Sequence, residues 1–109
     1  MLRRLRRRYI AIKVECEQPP PKNTIIDSIW KSLLQLFGEY GASQTDLKFI
    51  EYNPKERFMI LRCSHDALNL VKTSISMITK IDDSKAALHI VYVSGTLKTL
   101  LKRITPLKG

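Results

Sequence analysis

The chain is poor in the residues that carry most enzyme chemistry. It has two cysteines and two histidines in 109 residues. Cys16 and Cys63 form no CxxC pair and are too few for a thiolate zinc site. Each ends an apolar alternating run, as a small buried hydrophobe would. His65 and His89 belong to no HExxH or Cys/His spacing, and there is no P-loop or GxGxxG. No serine or cysteine lies beside an evident base, so a nucleophile is lacking too. Asp82-Asp83 beside Ser84 and Lys85 reads as a solvated turn and not as a metal site. No apolar run is long enough to cross a bilayer. Lys13 and Glu15 interrupt the N-terminal apolar stretch, which leaves no signal-peptide core. The expectation is a cytoplasmic protein with no catalytic residues of its own and no cofactor of its own.

Acidic residues are missing from both ends. Residues 1–8 carry Arg3, Arg4, Arg6, Arg7 and Arg8, and residues 95–109 carry Lys98, Lys102, Arg103 and Lys108, with no acid in either segment. The middle of the chain balances ten basic against ten acidic residues, so the whole formal charge of +9 sits at the termini. Charge spread for solubility would be more even, and this segregation suits a polyanion.

What remains is one modest globular domain. Ile10, Ile12, Val14 and Cys16 alternate with Tyr9, Ala11, Lys13 and Glu15, the pattern of a half-buried strand. Three prolines then break it. Asn23 or Thr24 can cap a helix on which Ile25, Ile29, Leu33, Leu36 and Tyr40 recur, with Gly41 placed to stop it. Trp30, Leu34 and Phe37 flank that stripe and are candidates for a protein interface. Leu47–Tyr52 and Arg57–Cys63 predict a hairpin around Asn53-Pro54-Lys55-Glu56. Ser64 can cap a second helix carrying Leu68, Val71, Ile75 and Ile78. Ala87–Val93 is apolar except for His89, as expected of a central strand. Leu97, Leu100, Leu101 and Ile104 give a last helix its stripe.

The order is βαββαβ plus a C-terminal helix. It predicts an α+β fold, an RRM-like or ferredoxin-like sandwich with a four-stranded antiparallel sheet and two helices on one face. Residues 1–8 are expected as a basic arm and 9–109 as the domain. The two cysteines should lie at opposite edges of the sheet, about five or six residues apart along the strands and beyond disulfide reach.

Arginine-rich sequence offers guanidinium forks to phosphates, and Tyr9 offers a ring to a base. Lys98 and Lys102 lie one helical turn apart, next to Arg103. The Ser94-Gly95-Thr96 turn places backbone N–H groups at a helix N-terminus, a ready anion site. The expected RNA-binding set is therefore Arg3, Arg4, Arg6, Arg7, Arg8, Tyr9, Ser94, Gly95, Thr96, Lys98, Lys102 and Arg103. The strand Arg57–Cys63 lacks the glycine and aromatic pair of the RNP1 pattern. That shifts the expected ligand from single strands to structured RNA held through its backbone.

Arg8-Tyr9-Ile10, Ile60-Leu61-Arg62-Cys63 opening a helix, and Val93-Ser94-Gly95-Thr96-Leu97-Lys98 together resemble the Pop-five-like family, protein component 2 of ribonuclease P in archaea and eukaryotes. The likeness spans nearly the whole chain. It implies an RRM-like subunit of the ribonucleoprotein that removes 5′ leaders from precursor tRNAs, with the RNA holding magnesium and the active site. It also implies a TIM-barrel-like ribonuclease P protein as partner, in a heterotetramer of two copies each. The absence of an acidic tail fits the archaeal type, whereas the loop Ile81–Lys85 lacks a glycine expected there. Two other readings remain: a ferredoxin-like regulatory domain for a small ligand, and a generic binder of structured RNA.

Overall fold

The structure, a computed structural model, describes residues 6–104. The chain runs β1 (Arg7–Cys16), α1 (Lys22–Ser43), β2 (Lys48–Asn53), β3 (Phe58–Ser64), a 3-10 turn (His65–Ala67), α2 (Leu68–Ser76), β4 (Lys80–Ile81), β5 (Ser84–Ser94) and α3 (Leu97–Ile104). The strands form one antiparallel sheet in the order β2-β3-β1-β5-β4. The fold is α+β.

Strand alternation assigns the two faces. Ile10, Ile12, Val14, Met59, Leu61, Cys63 and Leu88 meet Ile25, Ile29 and Leu33 of α1 and Val71 and Ile75 of α2 in the main core. On the opposite face Leu100 and Ile104 of α3 close over Ala11 and Ile60, with Tyr9, Ile50 and Leu97 packed at the margin. Both faces of β1 are thereby buried, which is why Ile10, Ala11 and Ile12 are all sealed from solvent. Burying an aliphatic side chain contributes about 1.5–3 kcal/mol. Most of that term comes from the first face.

Several details depart from the sequence expectation. The sheet has five strands instead of four, because Lys80 and Ile81 pair with Lys85 and Ser84 ahead of the last long strand. The hairpin joining them turns on Asp82 and Asp83, both at positive φ (53° and 65°). Aspartate is among the few non-glycine residues that enter this region readily, so the loop needs no glycine. The stretch 87–93 of β5 is not central, since β4 pairs only with Ser84 and Lys85. Beyond the short pairing with β4 it is flanked only by β1, and its apolar residues serve the two faces, against α2 and α3.

α1 begins at Lys22 with Pro21 as its cap residue, so neither Asn23 nor Thr24 caps it. It runs past its expected stop at Gly41 to Ser43, and it is broken internally at Gly38, whose φ of 72° and ψ of 178° are not helical. Only glycine occupies that region without strain. Tyr40, beyond the kink, is 80% exposed, and Leu36, in the turn before it, is 41% exposed, so the stripe leaves the core at this end of the helix. Gly41 serves close packing instead, since a Cβ there would stand 2.7 Å from Phe37 Cβ. Ser64 precedes the 3-10 turn without a side-chain cap bond, and its hydroxyl donates to the Gln44 carbonyl at 3.3 Å. The hairpin loop closes as expected, with Asn53 Oδ1 accepting from the N–H groups of Lys55 (3.1 Å) and Glu56 (3.2 Å).

Both cysteines are free thiols. Cys63 pairs with Arg8 in register, so eight positions of β1 separate it from Cys16. That is about 27 Å at strand rise, further than the expected five or six residues.

Candidate nucleic-acid interface

β1 and β5 are antiparallel neighbours, so the start of one lies beside the end of the other, and Tyr9 pairs with Ser94. One residue further out on each strand, Arg8 and Gly95 converge. A Cβ on Gly95 would lie 3.5 Å from Arg8 Nη1. The same nitrogen donates to the Arg7 carbonyl at 3.0 Å. Two basic segments from opposite ends of the sequence therefore share one end of the sheet.

The arm is only partly an arm. β1 starts at Arg7, two residues before the expected boundary, and the Arg6 carbonyl accepts from the His65 N–H at 2.7 Å. Arg6 and Arg7 are exposed and Arg8 is half-buried. Arg7 pairs with Asp46 at 3.6 Å, an exposed ion pair of the kind that contributes roughly 0–1 kcal/mol. Arg3 and Arg4 lie outside the described residues. Tyr9 is half-buried against the α3 cluster, which limits the ring surface left for a base.

Thr96 is the cap of α3. Its Oγ1 accepts from the Thr99 N–H at 3.2 Å and lies 2.8 Å from Thr99 Oγ1. Ser94 Oγ accepts from the Thr96 N–H at 3.3 Å. The turn is therefore an ordered cap, and Gly95 at its apex is exposed beside Arg8. Lys98, Lys102 and Arg103 are all exposed on α3, while Leu100 and Ile104 face the sheet. Lys102 and Arg103 also suit the partial negative charge of the helix end.

Arg8 carries its charge to the rim of the main core. Burial pushes the thiol of Cys63, its β3 partner, up to about 11, against the opposing pull of the Arg8 cation, while Asp46 adds to the rise. At the far end of the sheet the Tyr52 hydroxyl donates to the Pro20 carbonyl at 2.7 Å, and its pKa is raised chiefly by burial.

The proposed interface trio on α1 splits. Trp30 and Phe37 pack against the main core, whereas Leu34 is 45% exposed. Tyr40, Leu36 and Met77 add further exposed apolar surface. Two cations that the sequence reading left unassigned belong to this end of the sheet. Arg62 on β3 pairs with Tyr9 on one side and with Lys48 of β2 on the other. A signal was present, because Arg62 is a lone charge inside the apolar run Phe58–Ser64. Its neighbours across the strands were not readable without the register. Among the described residues no three His, Cys, Asp or Glu side chains gather in a metal-binding group.

The family model of the Rpp14/Pop5 family matches residues 8–105, from the basic start of β1 to just past α3. The chain belongs to the Rpp14/Pop5 family. Among curated relatives, ribonuclease P protein component 2 of Methanosarcina mazei is 26% identical over 97% of this chain and 90% of its own length. The corresponding protein of Pyrococcus furiosus is 31% identical over 90% of this chain and 82% of its own. A chain in the cryo-EM structure of yeast ribonuclease MRP has a similar fold, with a TM-score of 0.72 at 13% identity, covering 99% of this chain and 95% of that one. No described helix of this Rpp14/Pop5 member is long and apolar enough to cross a membrane.

Proposed function

We propose that the chain is a protein subunit of ribonuclease P that binds and activates the catalytic RNA removing 5′ leaders from precursor tRNAs. The observation that carries the mechanism is the approach of Arg8 to Gly95, which gathers the start of β1 and the capped start of α3 into one cationic end. Guanidinium groups there can grip phosphates in pairs, and the exposed ammonium groups of α3 extend the field. The subunit's work is electrostatic. It neutralises crowded RNA phosphates so that the RNA can hold its active shape.

In this reading the four long strands with α1 and α2 are the RRM-like βαββαβ unit, and β4 is an addition at its edge. α3 lies across the face that an ordinary RRM offers to bases, which supports recognition of a folded RNA through its backbone. Magnesium belongs to the catalytic RNA, and this chain holds no cofactor. The protein partner is the TIM-barrel-like ribonuclease P subunit, in a heterotetramer with two copies of each. Leu34 and the exposed apolar surface of α1 are the proposed contact. The precursor tRNA enters the complete particle, in the cytoplasm.

Reconstitution tests the proposal. The protein, catalytic RNA, magnesium and barrel partner are combined and precursor-tRNA cleavage is measured. The native chain should stimulate cleavage, and an Arg6→Gln, Arg7→Gln, Arg8→Gln variant should stimulate it less, with a flatter salt dependence of RNA binding. Equal stimulation by both proteins would refute the assigned role of the basic end.

A further inference from the structure

We propose that Lys48 and Arg62 form a second phosphodiester-binding row, which carries the RNA footprint from the β1–β5 end across the sheet to its edge strand. The proposal rests on the RNA-binding reading above and deepens it.

The register supplies the geometry. Lys48 pairs with Arg62, Arg62 with Tyr9 and Tyr9 with Ser94, so one row crosses all four long strands. Directly opposed residues of antiparallel strands point to the same face. Tyr9 and Ile60 lie on the face covered by α3, and Arg62 is opposite the one and two positions from the other. Lys48 and Arg62 therefore stand at the rim of the α3-covered face. Arg7, two residues before Tyr9, joins them on that face.

Fold stability does not account for this arrangement. Like charges directly opposite each other across two strands are destabilising. Neither the Arg7–Asp46 pair nor the His89–Glu15 pair engages Lys48 or Arg62. Arg62 Nε is sealed from solvent with no hydrogen-bond partner among the described residues. A buried donor left unmatched costs about 1–3 kcal/mol, more when it belongs to a charged group. Nε itself is closed to an incoming ligand, so an anion would act on the two adjacent cations through the exposed Lys48 and the accessible part of the half-buried Arg62. A phosphodiester oxygen can accept from the guanidinium fork and meet the ammonium in the same step. The row also continues into Tyr9 and Ser94 beside the capped start of α3, and Arg7 stands on the same face, so a backbone held at Arg7 and Gly95 has a path towards β2.

The test uses the full chain and ribonuclease P RNA from the same source. Binding is titrated from 50 to 200 mM salt for the native protein, Lys48→Gln, Arg62→Gln, the double variant and the Arg6/Arg7/Arg8→Gln variant, with folding checked by circular dichroism. Each lost phosphate contact should lower the slope of log affinity against log salt by about 0.7–0.9, so the double variant should lose about 1.4–1.8. In parallel the native protein is acetylated with and without RNA. Lys48 should be protected severalfold, while Lys55 in the distant hairpin and Lys72 on α2 react unchanged. The footprint and the exposed Lys48→Gln variant decide the matter even if Arg62→Gln fails to fold. An unchanged slope in a folded Lys48→Gln protein, together with Lys48 labelled equally with and without RNA, overturns the row. If the Arg6/Arg7/Arg8 variant still loses affinity, only this inference fails. If that variant also binds as the native chain does, the RNA-binding reading fails with it.

Discussion

Truncating Leu100 to alanine should undock α3 while leaving the main core nearly intact. Leu100 and Ile104 are the two fully buried side chains of α3, and both belong to the small cluster on Ala11 and Ile60. Together they contribute about 3–6 kcal/mol of burial. A buried Leu→Ala change removes about 2–5 kcal/mol, comparable to everything that holds the helix down. Eight residues are too few for a helix to persist alone in water, so an undocked α3 should also melt. Hydrogen exchange of the amides after the first turn, Leu101 to Ile104, reads this directly. Their exchange should accelerate by at least about thirtyfold, since each 1.4 kcal/mol is a factor of ten. The single tryptophan, Trp30, packs in the other cluster, so its fluorescence reports the main core separately. The urea midpoint followed by Trp30 should fall much less than the local stability of α3. If both fall together, the two faces of the sheet are one cooperative unit and the reasoning is wrong.

Gly38→Ala should destabilise the fold by about 1–3 kcal/mol although a Cβ there meets nothing within 4 Å; a thermal melt matching the native protein would show that the kink is not enforced by the backbone. Asp46→Asn should leave stability within about 0.5 kcal/mol, because the pair it breaks is exposed, and should tighten RNA binding by freeing Arg7; weaker binding in a filter assay would count against that role for Arg7. Cys63 has an ordinary value of 9.0 raised to about 11 by burial. The folded state therefore keeps a proton that the unfolded chain loses first, so stability is intact below pH 9 and declines as pH rises towards 11. Urea midpoints at pH 8 and 10.5 should show this decline, and Cys63→Ala should lessen it.

Element order was legible because periodicity needs no tertiary contact. Alternation at Ile10, Ile12 and Val14 marks β1, and the three prolines mark its end. The spacing of Leu97, Leu100 and Ile104 marks α3 as amphipathic. The errors fall where two readings share one signal. Gly38 and Gly41 can both interrupt a helix, and only the backbone angles put the break at Gly38, with helical structure resuming to Ser43. The apolar run Ala87–Val93 suits a strand covered by neighbours on both edges or one covered by helices on both faces, and periodicity cannot separate the two. Lys80 and Ile81 are too short a segment to show any period. Arg62 was visible as a lone charge in β3, but its meaning depends on Lys48 standing opposite.

The sequence by itself determined that this chain folds around alternating strands and that all of its net charge sits at the two ends, since both follow from the order of side chains alone. Tertiary structure decided where those charges meet. Antiparallel pairing of β1 with β5 brings Arg8 to Gly95, and pairing of β3 with β2 sets Arg62 against Lys48. Register is a relation between distant segments, fixed by which faces bury the apolar residues, and so it becomes readable only when the chain has closed on itself.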